Sequence, residues 1–70
     1  MITENHQHYV RRYELEKERH SMAIKQQDYN RASFHSETMS EIEKMLAFLC
    51  STPRYEIWCE LNPERIGANV

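Results

Sequence analysis

The clearest pattern lies in the middle of the chain. Met39, Ile42, Met45, Leu46 and Leu49 recur at three- and four-residue steps, the spacing of one helix face, while Glu41, Glu43 and Lys44 fall outside it. Two overlapping capping boxes precede that face: Thr38 with Glu41, and Ser40 with Glu43. Upstream, Asn30 to Thr38 collects Asn, Ser and Thr, whose side chains compete with the helix backbone for hydrogen bonds. This places a turn there. It predicts one helix over about 4–31 and a second over about 37–50.

The first predicted helix has two apolar stripes. Ile2, Tyr9, Val10, Tyr13, His20 and Ile24 share one arc at about 100° per residue. Leu15, Met22 and Tyr29 form another at seven-residue steps, the repeat that keeps a seam facing a neighbouring helix. Charges between them pair favourably: Arg12 with Glu16, Glu14 with Lys17, Asp28 with Arg31. Two stripes call for two neighbours, one the second helix and the other a second copy of the chain. The expected homodimer contact is Leu15, Met22 and Tyr29.

Residues 1–52 contain neither Gly nor Pro; Pro53, Pro63 and the sole glycine, Gly67, follow. Thr52 reads as an N-cap and Pro53 as a first helical residue. A short third helix over about 53–61 puts Arg54, Ile57, Trp58 and Leu61 on one side. The rival is a strand, since Tyr55, Ile57, Cys59 and Leu61 alternate with Glu56, Trp58 and Glu60, but no second strand is in sight. Asn62-Pro63 ends this element, and the tail to Val70 reads as a turn and a frayed end. The fold class is all-α: an antiparallel helical hairpin with a short third helix, one small domain, paired as a helical-bundle homodimer.

Size makes the pairing matter. A chain of 70 residues leaves much of its surface in water, so its core gains from a disulfide, a metal or a second copy. The first 20 residues are polar and offer no export signal, so Cys50 and Cys59 are expected to stay reduced in a cytoplasmic setting. The longest apolar run, Met45 to Cys50, is far short of a membrane span. Six Lys/Arg and five Asp/Glu fall in residues 1–32 and three and six in residues 33–70, so neither half is a polybasic arm or an acidic tail.

Candidate chemistry is sparse. Cys50 and Cys59 are too far apart for a zinc pair, His6 and His8 point to different helix faces, and Glu16 with His20 reads as an ion pair or a solvated pair. No glycine-rich phosphate loop exists. Cys50, at the end of the apolar face, reads as a small buried hydrophobe. No catalytic residue, metal ligand or cofactor is expected. Arg11, Arg12, Lys17, Arg19, Lys25 and Arg31 lie on the first helix, but Glu14, Glu16, Glu18 and Asp28 interleave.

Aromatics and methionines are plentiful, and such side chains are enriched at interfaces. The functional expectation is a non-enzymatic protein-binding module: a regulator or inhibitor that occludes a partner's surface, of the size of phage and mobile-element accessory proteins. Tyr9, Tyr13, Arg54 and Trp58 are the expected partner contacts. The alternatives are a nucleic-acid-binding regulator acting through the basic residues of the first helix, and a structural assembly subunit.

Overall fold

The computed structural model describes residues 2–67. A 3-10 turn at Glu4–His6 leads into α1 (Gln7–Lys25); α2 (Tyr29–Leu49), α3 (Arg54–Leu61) and the single-turn α4 (Pro63–Gly67) follow. The described residues form no strand, so the alternation in 55–61 is that of a helix. The architecture is all-α: α1 and α2 form a hairpin, and α3 closes one end of it. Residues 68–70 of the tail lie outside the described residues.

The hairpin turn is not where the polar cluster placed it. α1 ends at Lys25 and α2 begins at Tyr29, so the residues read as a turn, 30–38, are helical. The turn is Gln26-Gln27-Asp28. Gln27 takes a left-handed φ of 58°, the Asp28 amide donates to the Ala23 carbonyl at 2.8 Å, and the Gln27 amide donates to Ile24 at 3.0 Å. This pair of bonds is a Schellman motif, which usually has glycine at its left-handed position. Asp28 then caps α2, its Oδ1 accepting from the Arg31 amide at 3.2 Å. The proposed capping boxes are not used. Thr38 bonds back to the Phe34 carbonyl, and Ser40 accepts from Arg54.

α2 ends the same way. Ser51 has φ 50°, and the Thr52 and Ser51 amides donate to the Ala47 and Phe48 carbonyls. Thr52 is not the cap of α3; its hydroxyl donates to the Cys50 carbonyl, and Pro53 takes the N-cap position. The tail helix α4 extends the structure beyond the expected stop at Asn62-Pro63.

The core is Tyr13 from α1, Ile42 and Leu46 from α2, and Ile57 and Leu61 from α3. Ile2, Tyr9, Val10, Met39, Ala47 and Cys50 pack against it, half-buried. Most of the first arc of α1 thus faces inward, although Ile24 is exposed. The apolar face read for α2 divides: Ile42 and Leu46 are buried, Met39 is half-buried, and Met45 and Leu49 are exposed. No helix among the described residues is long and apolar enough to cross a membrane.

Candidate interaction surface

Two buried carboxylates hold the inner faces together. Glu43, expected outside the apolar face, is buried. The Tyr13 hydroxyl donates to its Oε2 at 2.7 Å, and Asn62 Nδ2 donates to the Tyr13 oxygen at 3.0 Å. Arg54 reaches the other carboxylate oxygen at 3.2 Å and donates to the Ser40 hydroxyl at 2.7 Å. Burial, partly offset by the Asn62 bond and reinforced by Glu43, pushes the Tyr13 hydroxyl up to about 12. Lys17 lies 5.6 Å from the centre of the Tyr13 ring and donates to the Leu61 carbonyl and to Glu64, fastening α1 to the C-terminal turn. The Lys17 bond also holds the exposed Glu64 carboxyl below its ordinary value.

The second carboxylate is Glu16, also buried. His35 Nδ1 sits 2.6 Å from its Oε2, and Arg19 and Arg12 reach its Oε1 at 3.2 and 3.4 Å. Burial alone would raise this carboxyl. The His35 hydrogen bond and charge, followed by Arg12 and Arg19, outweigh it and hold Glu16 below its ordinary value. Its imidazole partner is therefore His35 of α2 rather than His20. No buried polar side-chain atom among the described residues lacks a partner. These clusters spend their polar groups on one another, which marks them as structural.

The outer face of α2 is different. Phe34, Thr38, Glu41, Met45 and Phe48 follow one another at steps of four, three, four and three, an unbroken helical seam. Phe34 is 64% exposed, Met45 47%, Phe48 83% and the adjoining Leu49 42%. Beside the middle of this seam, between α1 and α2, lies a mostly apolar cavity of about 210 Å³ lined by Tyr9, Arg12, Thr38, Glu41, Ile42 and Met45. A larger groove of about 460 Å³ near the turn is lined by charged residues, Met22 and His35.

The residues singled out in the sequence scatter. Leu15, Met22 and Tyr29 are all exposed, as a contact surface requires, but on α1 Leu15 and Met22 stand among charged side chains. Of the expected partner contacts, Tyr13 is corrected: it is fully buried and its hydroxyl is engaged, because it occupies the centre of the three-helix core. Arg54 is committed to Glu43 and Ser40. Tyr9 is half-buried at the mouth of the apolar cavity, and Trp58 is half-buried on α3. Phe34 and Phe48, exposed on α2, are not among the expected contacts. Phe34 was assigned to a turn, and Phe48 stands outside the arc chosen for α2; the four-three spacing is the signal that links them.

Of the basic residues of α1, Arg12 and Arg19 are tied to Glu16 and Lys17 to Glu64 and the Leu61 carbonyl. Cys50 and Cys59 are half-buried free thiols, with Cys50 Sγ 3.9 Å from His6 Nδ1. Among the described residues, no group of three or more His, Cys, Asp or Glu side chains gathers as metal ligands. No protein-family model matches the chain, and neither a curated protein nor a solved structure matches it.

Proposed function

We propose that the chain is a non-enzymatic protein-recognition module that makes its contact through the outer face of α2, a regulator or inhibitor that occludes the surface it binds. One observation carries this reading: Phe34, Met45, Phe48 and Leu49 stand exposed along one face of a capped 21-residue helix. An amphipathic helix that offers apolar anchors at such steps is recognised by an apolar groove in another protein. Aromatic and methionine side chains suit that role, giving large contact area and adaptable packing.

The nucleic-acid alternative gains no support from the fold. Phosphate binding needs cations free to displace counterions, and three on α1 are engaged with carboxylates.

Affinity capture from the native cell with wild type, Phe34→Glu/Phe48→Glu and Met22→Lys provides the test. Each captured protein, further copies of this chain included, is then titrated in purified form. Saturable binding to wild type and Met22→Lys, weakened at least tenfold in the double variant, is the expected outcome. Equal binding by the double variant, or no saturable binding by wild type, would overturn the reading.

A further inference from the structure

We draw no further inference here: the strongest candidate, the exposed apolar patch of Met45, Phe48 and Leu49 on the outer face of α2, belongs to the contact surface already proposed, and nothing in the structure shows what covers it.

Discussion

α1 and α2 are similar in length and share one interface, yet their outer faces are of different kinds. On α1, Leu15 and Met22 are 42% and 53% exposed, but Arg11, Glu18 and Arg19 stand around them. Long charged side chains cover apolar neighbours with their stems and keep their heads in water, so such a face is stable unpartnered. On α2 the seam from Phe34 to Phe48 carries Thr38 and Glu41 between its apolar ends, with Glu37 and Lys44 alongside, while Met45, Phe48 and Leu49 cluster at its C-terminal end. The two faces teach that exposed hydrophobes scattered among charges are ordinary, whereas a cluster such as Met45, Phe48 and Leu49 is the more informative observation.

The inner faces make the contrast sharper, and there the largest effect is expected. Leu46 is fully buried among Tyr13, Ile42, Ile57 and Leu61, so Leu46→Ala should cost about 2–5 kcal/mol in a urea melt. Phe48→Glu, two residues on, should leave stability within about 0.5 kcal/mol while weakening partner binding. A melt in which the two variants lose stability equally would erase the distinction between faces.

Next in size is Tyr13→Phe. It removes the hydroxyl between Glu43 and Asn62 and should cost about 1–3 kcal/mol by leaving buried polar groups under-satisfied. The same residue sets a pH dependence. Its folded pKa is raised from 10.0 to about 12, so its contribution is fully present below pH 10 and is lost as pH rises through about 12. Tyr13→Phe should lack this loss in alkaline melts. Glu16 acts at the other end. Its pKa is lowered from 4.5, so its contribution is present above that value and is lost as pH falls through the folded value.

Smaller again is the hairpin turn. Gln27 holds a left-handed conformation that costs a residue with a Cβ about 1–2 kcal/mol, and glycine avoids that cost. Gln27→Gly gives up part of this gain through its more flexible unfolded chain. It should therefore raise the melting temperature by a few degrees, whereas Gln27→Pro should lower it. The smallest effect is expected on the outer face of α1. Met22→Lys should change neither the melting temperature nor partner binding, and loss of binding in this variant would shift the contact to Leu15, Met22 and Tyr29.

The sequence carried the helical class, the third helix and much of the inner face of α1, because those follow from local periodicity and from Pro53. The hairpin turn was hidden because its left-handed position holds Gln27 where a glycine would have announced it. Asn30, Ser33, Ser36 and Thr38 only mildly oppose a helix, and the Asp28 cap and packing against α1 outweigh them. The burial of Glu16 and Glu43 was illegible for another reason. His35 is 19 residues from Glu16, and Tyr13 is 30 from Glu43, so only the folded hairpin brings the partners together. Phe34 and Phe48 became readable as one face once α2 was known to run unbroken between them.

The central claim is that α2 rather than α1 carries the contact face, and the methionines report on it directly. Met22 marks the outer face of α1, Met39 the inner face of α2 and Met45 the outer face of α2. Methyl-labelled methionine followed by NMR during titration with a captured partner protein reads all three in one sample. The Met45 methyl resonance should move as partner is added while those of Met22 and Met39 stay fixed. A Met22 resonance that moves while Met45 stays still would contradict the account.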